Sequence, residues 1–279
     1  MLDIESISSG LQLGDDGIWY SLDTDNLSYP SDGNDSCFAI EENSFWFRHR
    51  NNCITSVVES HPPENNGTIF DVGGGNGFVS LALANAGFNV ALVEPGKVGA
   101  ANAKKRGVSN VICGTTSTAK LKQDSLPAVG LFDVIEHIED DLTFLKSVRG
   151  LMKKNARLYI TVPSYSFLWS AEDVSAGHFR RYSLAGIRNV IELAGFQVEF
   201  SSQIFRLLPI PIFFLRSLPH KFGLSKTERI PKKASRDHTV KAGLGLNILE
   251  SILHSEIKNL NNRKPMSFGG SCLIVAKNR

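Results

Sequence analysis

The sequence predicts an α/β protein in which helices cover both faces of a doubly wound, mostly parallel sheet. The first observation is a strict alternation of short apolar runs with helical segments from residue 68 to residue 194, which is typical of a parallel sheet. The second is a glycine-rich turn between the first run and its helix. The third is the length of 279 residues, which fits one large domain with insertions.

Seven strands are predicted, because seven short apolar runs are each bounded by glycine or polar residues. They cover residues 68–72, 89–93, 110–113, 127–132, 158–162, 197–205 and 271–276. The helices are predicted at residues 43–61, 78–86, 98–106, 141–152, 183–194 and 246–257. Asp140 or Asp141 and Ser183 are expected to cap the helices at 141–152 and 183–194, and Gly87, Gly107 and Gly195 are expected to end the helices at 78–86, 98–106 and 183–194.

The chain is expected to have four parts. Residues 1–42 are predicted to be an irregular N-terminal arm, because residues 10–36 are rich in Gly, Asp, Ser and Asn and show little periodicity. Residues 43–205 form the core and include a lid helix at 43–61. Residues 206–268 are predicted to be a helical lid inserted before the last strand, which lies within residues 269–279.

Composition narrows the class of protein. The net charge is only +2, so no global field favours nucleic acid as a partner. The four cysteines form no Cys-x-x-Cys pair, which argues against a disulfide framework or a zinc site and suits a reducing cytoplasm. No apolar run reaches the roughly 18 residues that a membrane span needs, and the N-terminus lacks a signal-peptide profile. We therefore expect a cytoplasmic protein.

The turn after the first strand reads Asp-Val-Gly-Gly-Gly-Asn-Gly from Asp71 to Gly77. Glycines allow a sharp turn and a close ligand approach, and the helix start behind them offers free N–H groups. Phe78 stands where a dinucleotide site needs its third glycine, and no Gly-Lys-Ser/Thr follows, which excludes a phosphate-cradling NTPase loop. Glu94 ends the second strand, where its carboxylate either accepts both hydroxyls of a ribose or is a solvated strand end.

These motifs resemble those of a known family. Ile-Phe-Asp-Val-Gly-Gly-Gly-Asn-Gly at 69–77 and the run at 90–95 resemble the first two motifs of class I S-adenosylmethionine-dependent methyltransferases. Residues 131–137, 159–163, 177–182 and 194–196 resemble a bacterial subgroup that acts on small molecules. The sequence departs from the subgroup at Gly74, where most members have Cys, and at 153–156, where Pro-Gly-Gly is usual; both changes keep a short turn.

The resemblance implies a Rossmann-like fold with strand order 3-2-1-4-5-7-6, and S-adenosylmethionine as a cofactor that leaves as S-adenosylhomocysteine. Asp71 and the loop glycines would hold the methionine part and Glu94 the ribose, whereas Thr115 and Thr116 would lie near adenine, although the usual Asp there is missing. The full set of expected cofactor-binding residues is Phe70, Asp71, Gly73, Gly74, Gly75, Asn76, Gly77, Glu94, Pro95, Thr115, Thr116 and Asp133.

The methyl acceptor should bind beyond the carboxyl ends of the fourth and fifth strands. There, Glu136 and His137 either hold the loop, contact the acceptor as a base, or bind a metal, although we predict no metal. A polar and aromatic loop after the fifth strand supplies a second candidate base, His178. The alternative is that the charged residues of this loop form salt bridges with one another and only stabilise the loop. The expected acceptor-binding residues are Trp46, Arg50, Glu136, Tyr165, Trp169, Asp173, Arg181 and Tyr182. The aromatic run at 45–47 either covers the cofactor or anchors the first helix.

Residues 204–241 combine an apolar front with a cluster of Lys and Arg. Two interpretations remain open: an ordinary solvated lid, or a surface for peripheral contact with an anionic membrane or a lipid-linked substrate. The sequence thus predicts an S-adenosylmethionine-dependent methyltransferase that methylates a small or lipid-linked metabolite, expected at oxygen. The alternatives are a non-catalytic cofactor-binding scaffold and a methyltransferase acting on RNA or protein.

Overall fold

The computed structural model describes residues 3–23, 38, 40–42, 44–224 and 244–279. Their centre is one nine-stranded sheet with the order β1-β2-β5-β4-β3-β6-β7-β9-β8. The strands are β1 (Leu11–Leu13), β2 (Trp19–Ser21), β3 (Ile69–Val72), β4 (Val90–Glu94), β5 (Asn110–Cys113), β6 (Leu126–Phe132), β7 (Met152–Pro163), β8 (Phe196–Ile204) and β9 (Ser271–Asn278). The α/β fold class is confirmed.

The seven strands β3–β9 lie in the predicted relative order, but the complete sheet is larger than expected. Strands β3–β7 pair in parallel, and β9 runs antiparallel between β7 and β8. The prediction of a wholly irregular arm over residues 1–42 was wrong, because β1 and β2 form an antiparallel hairpin and β2 extends the sheet by pairing in parallel with β5. These strands have only three residues each and owe their place to pairing with a distant strand.

Helices cover both faces of the sheet. They are α1 (Ile4–Ile7), α2 (Phe45–Ser60), α3 (Phe78–Asn85), α4 (Lys97–Arg106), α5 (Asp141–Leu151), α6 (Ala171–Ala176), α7 (Leu184–Leu193), α8 (Pro209–Ile212), α9 (Leu218–Lys221) and α10 (Leu244–Asn261). Apolar residues of α5 and α7, such as Leu145 and Ile187, pack on one face. On the other face, Ile54 of α2, Leu83 of α3 and Leu260 of α10 share a second buried cluster.

The inserted segment before β9 is partly integrated into this core. Helix α10 packs on α2 through the cluster that contains Leu260, so this part of the predicted lid belongs to the core. A π-helical turn, Phe213–Ser217, joins α8 to α9. The basic residues that follow, at 226–241, lie outside the described residues. None of the described helices has the length and hydropathy needed to cross a membrane.

Other local differences from the prediction have simple causes. The turn expected at 153–156 lies inside the long strand β7, where Asn155 has a φ of 66° and the pairing with β6 is irregular. Helix α6 and the helical stretch around α8 were not predicted, because each is a short segment without a clear apolar period.

Candidate functional site

The glycine loop lies between the end of β3 and the start of α3. Gly73, Gly75 and Gly77 have φ values of 75°, 52° and 73°, a region that favours glycine. A Cβ on Gly73 would stand 2.9 Å from Cγ2 of Val134, and one on Gly77 would stand 2.8 Å from Cβ of Ala103. The loop therefore requires glycine both for its turn and for its close approach to neighbouring segments.

Asp71, the third residue of β3, is buried beneath this loop. The Ser80 hydroxyl donates a 2.6 Å hydrogen bond to its Oδ2, whereas its Oδ1 has no hydrogen-bond partner among the described residues. Burial raises the pKa of Asp71 to about 6, although the Ser80 hydrogen bond and the charge of Arg50 oppose the shift. The carboxyl group is therefore held in place with one oxygen available for a ligand.

Glu94 ends β4 and is tied directly to the glycine loop. Its Oε2 accepts a hydrogen bond of 2.9 Å from the Gly75 N–H, and its Oε1 accepts one of 2.7 Å from the Gly96 N–H. Burial raises the pKa of Glu94, and these two hydrogen bonds oppose the shift. Each carboxylate oxygen keeps a second lone pair, so both can still accept a hydroxyl.

The end of β6 forms the next part of the site. Asp133, with a φ of 58°, pairs through Oδ2 with Nη1 of Arg50 at 3.0 Å and accepts the Thr161 hydroxyl at Oδ1. Glu136 is buried, and its Oε2 lacks a hydrogen-bond partner among the described residues. Burial, with the charge of Asp133, raises the pKa of Glu136 well above its ordinary value. The charge of Arg50 thus acts on Asp71 in β3 as well as on Asp133 and Glu136 after β6.

The connection from β7 to α7, called here the Asp173 loop, contains the short helix α6 and is organised around Asp173 of that helix. Its Oδ1 receives Nε of Arg181 at 2.7 Å and Nδ1 of His178 at 2.9 Å, and its Oδ2 accepts the N–H and the hydroxyl of Ser170. Burial would raise the pKa of Asp173, but the hydrogen bonds from His178 and Arg181 outweigh burial and lower the pKa to about 2. The salt bridges expected as the structural alternative are present.

His137 lies against His178, with ring centroids 4.7 Å apart. Burial, together with the charge of His178, lowers the pKa of His137 to about 4. The carboxylate of Glu136 and the two imidazoles place their potential ligand atoms within 4.8 Å of one another, a spacing that suits a metal ion. Thus the two predicted bases and Glu136 do come together.

Several predicted site residues have their side chains committed elsewhere. Phe70 is fully buried in the core, and Tyr182 is buried and donates its hydroxyl to Asp141. Asn76 accepts a hydrogen bond from Asn102 and donates one to Glu41. The hydroxyl of Thr115 is hydrogen-bonded within a turn with that of Thr118.

The remaining predicted residues lie near the glycine loop or near the segments that follow β6 and β7. Tyr165 donates its hydroxyl to Gln203 and stacks on Phe167. Pro95, Thr116 and Trp169 are half-buried in the loops after β4, β5 and β7. Gly74 is crowded, because a Cβ there would stand 2.8 Å from both Oδ2 of Asp71 and Cδ1 of Leu92.

Two anchors that the sequence analysis missed hold α2 and the segment before it. Nη1 of Arg106 pairs with Glu41 at 2.7 Å. Glu256 of α10 binds Nε2 of His49 at 2.9 Å and also accepts the N–H groups of Phe205 and Arg206. His49 and Glu256 also lie beside the thiol of Cys53, in a second buried group with metal-like spacing. No local pattern signals contacts between residues so far apart in the chain.

Trp46 of α2 stacks on Phe205, with ring centroids 5.4 Å apart and an angle of 2° between the planes. This contact anchors the helix to the core, which was one of the two predicted roles of the aromatic run. The guanidinium of Arg50 lies 5.4 Å from the Trp46 ring. A cleft of about 570 Å³ opens beside the Asp173 loop and is lined in part by Tyr165, Phe167, Arg180 and Arg181.

Comparison with known proteins identifies a family. The family model described as "Methyltransferase domain" matches residues 46–200, more than half of the chain. No curated protein sequence matches. Among solved structures, a chain from a complex with the Haloferax volcanii Trm112 methyltransferase activator superposes with a TM-score of 0.57 at 16% identity, covering 89% of this chain and 96% of that one.

Two further structures share the fold. A Thermotoga maritima protein, described as a SAM-dependent methyltransferase and a possible histamine N-methyltransferase, gives a TM-score of 0.55 at 18% identity and covers 90% of this chain and all of its own. Phosphoethanolamine N-methyltransferase 2 of Haemonchus contortus, solved with S-adenosyl-L-methionine, gives 0.53 at 18% identity. That match covers 91% of this chain and 58% of the worm enzyme.

Proposed function

The chain belongs to the methyltransferase-domain family, and from that premise we propose that it transfers a methyl group from S-adenosylmethionine to the oxygen of a small or lipid-linked acceptor. The observation that carries the proposal is the hydrogen bond between the glycine loop and the Glu94 carboxylate. The N–H of Gly75 holds the carboxylate beside the loop at 2.9 Å, in a loop whose three alternate glycines have positive φ. Such a pair offers a carboxylate and exposed backbone to one elongated ligand.

The residues present fit this cofactor. Oδ1 of Asp71 is buried without a partner among the described residues, so it can accept a hydrogen bond from the methionine part. Glu94 can accept both ribose hydroxyls through its remaining lone pairs. The sulfonium, when bound, supplies the methyl group and the driving force, and the protein supplies alignment and exclusion of water.

The acceptor is proposed to bind at the ends of β6 and β7. Because Nδ1 of His178 donates a hydrogen bond to Asp173, the ring is oriented with Nε2 as the nitrogen that can meet an acceptor hydroxyl. His137, with its pKa lowered to about 4, is neutral at pH 7. An acceptor hydroxyl must lose a proton on methylation, and the neutral imidazole of His137 can accept it, which favours oxygen. Arg181 is paired with Asp173, so its proposed role is to position the loop.

The cofactor assignment is tested by calorimetric titration with S-adenosylhomocysteine. Glu94→Ala should weaken binding about 10- to 100-fold, the usual cost of losing hydrogen bonds to a charged group. Gly75→Val should abolish binding, because its backbone has a φ of 52°. The matched control is Glu192→Ala, since this glutamate is exposed at the end of α7. Unchanged affinity in both site variants would overturn the assignment.

The reaction itself is tested by product release with acceptors that carry either a hydroxyl or an amine. Methylation of hydroxyl acceptors alone supports transfer to oxygen, and methylation of amines alone contradicts it. The assay is repeated with a chelator, because Glu136, His137 and His178 are close enough to bind a divalent ion. Cofactor binding without any methyl transfer would favour the scaffold alternative.

A further inference from the structure

The stretch that follows β8 exposes an unusual density of large apolar side chains. Between 39% and 75% of each of six such residues is accessible to solvent within an eighteen-residue span. These six, called here the apolar surface, are Leu207, Ile210, Phe214, Leu215, Phe222 and Leu224. Pro209 and Ser217 are buried on the opposite side of the same helical stretch. Soluble proteins rarely expose large apolar groups in such concentration without a partner.

The charge of this stretch is one-sided. Arg206, Arg216 and Lys221 stand among the apolar residues, and the sequence has no Asp or Glu from 200 to 227. Among the described residues, Glu172 is an acid that contacts this stretch, with its carboxylate 3.9 Å from Nε of Arg216. A partner for this surface must therefore be apolar in one layer and anionic in the next. A bilayer with acidic headgroups has that structure.

We propose that the apolar surface lies in the headgroup boundary of an anionic lipid bilayer, with Arg206, Arg216 and Lys221 among the lipid phosphates. The thirteen residues from Pro209 to Lys221 then lie in the plane of the membrane and do not cross it. Membrane binding would also make a lipid-linked molecule the methyl acceptor, and that part of the inference rests on the proposed methyl transfer.

Two other occupants are less consistent with the charges. A second copy of the chain, docking through the same surface, would bring three cations against their equivalents. The following segment, 225–243, has six Lys or Arg against Glu228 and Asp237, and only Ile230 and Val240 as large aliphatic residues. It therefore has neither the charge nor the apolar side chains to cover the surface.

The apolar surface also adjoins the cleft. Phe213, within the same helical stretch, meets Phe167 with ring centroids 6.0 Å apart, and Phe167 lines the cleft with Arg180 and Arg181. Docking on a bilayer would place this cleft at the level of the headgroups. A lipid-linked acceptor could then enter from the membrane without its apolar tail crossing water.

The test is sedimentation of the whole protein with vesicles of phosphatidylcholine alone or mixed with phosphatidylglycerol. We expect binding only to the mixed vesicles, and binding that weakens as salt is added. Phe214→Ser combined with Leu215→Ser should weaken it more than about tenfold, given the apolar area lost. Leu13→Ser combined with Leu193→Ser removes two comparably exposed apolar residues elsewhere and should leave binding unchanged.

Several outcomes would overturn the proposal. These are no binding to either vesicle, equal binding to both, equal loss in the control pair, or a wild-type dimer in sedimentation velocity that the Phe214/Leu215 variant abolishes. Titration of each variant with S-adenosylhomocysteine separates this proposal from the previous one. Vesicle binding with no cofactor binding would refute only the methyltransferase assignment, and the reverse would refute only the membrane surface.

Discussion

Two carboxyl groups, Glu136 just after β6 and Asp173 in α6, are both about 1% exposed, yet their surroundings differ. Asp173 accepts four hydrogen bonds, from His178, Arg181 and two groups of Ser170, and its pKa falls to about 2. Glu136 has an oxygen without a partner among the described residues, and its pKa rises well above its ordinary value. Both side chains are almost inaccessible to solvent, so hydrogen-bond partners and nearby charges decide in which direction each pKa moves.

The two regions differ in whether their buried polar groups have hydrogen-bond partners. The loop around Asp173 is the more polar in sequence, but its charges satisfy one another and leave no buried oxygen of Asp173 for a ligand. The region around Glu136 and Arg50 has fewer polar residues in sequence. Both side chains nevertheless retain buried polar atoms without partners in the described part of the chain. Unpaired buried groups are costly and are retained where a ligand can satisfy them.

Asp173→Asn should produce the largest change in stability. It leaves Arg181 buried without its charge partner, so the free energy of unfolding should fall by about 3–5 kcal/mol in urea at pH 7. Because the pKa of Asp173 is lowered, this stabilisation is complete above its ordinary value of 3.8 and is lost as the pH falls towards 2. The exposed Asp124→Asn is the control; its φ of 51° suits asparagine. A loss below about 1 kcal/mol would contradict the closed network.

Glu136→Gln should change stability in the opposite direction. The raised pKa means that the folded state favours the neutral acid, so the wild type loses stability as the pH rises above the ordinary value of 4.5. The variant lacks this penalty and should be more stable than the wild type at pH 7, with a smaller difference at pH 5. Urea unfolding at pH 5 and pH 7 measures the trend. A variant that is less stable at both pH values would show that Glu136 is paired.

Ser170→Ala should have the smallest effect. It removes one 3.1 Å hydrogen bond to Asp173, while the backbone N–H of residue 170 and the charged partners remain. The free energy of unfolding should therefore fall by only about 1 kcal/mol, as measured in urea. A loss as large as that of Asp173→Asn would mean that this hydroxyl, and not the ion pairs, controls the loop.

The features that the sequence predicted are local ones. The β3–α3 turn and Glu94 at the end of β4 follow from glycine spacing and strand periodicity over short stretches. The pairing of Arg50 with Asp133 and the closure of the Asp173 network depend on which segments meet in space. The β1–β2 hairpin was missed for the same reason, because three-residue strands gain their stability from pairing with distant β5.

The bond between His49 and Glu256 spans 207 residues, and this has a consequence for synthesis on the ribosome. Strands β3–β5 and their helices can fold as soon as they emerge, since their contacts are close in sequence. Helix α2, which carries Arg50, emerges before them, but its hydrogen bond to Glu256 cannot form until α10 has been translated. The glycine loop and Glu94 would thus meet early in synthesis, whereas Arg50 would lie on a helix whose contact with α10 forms only later.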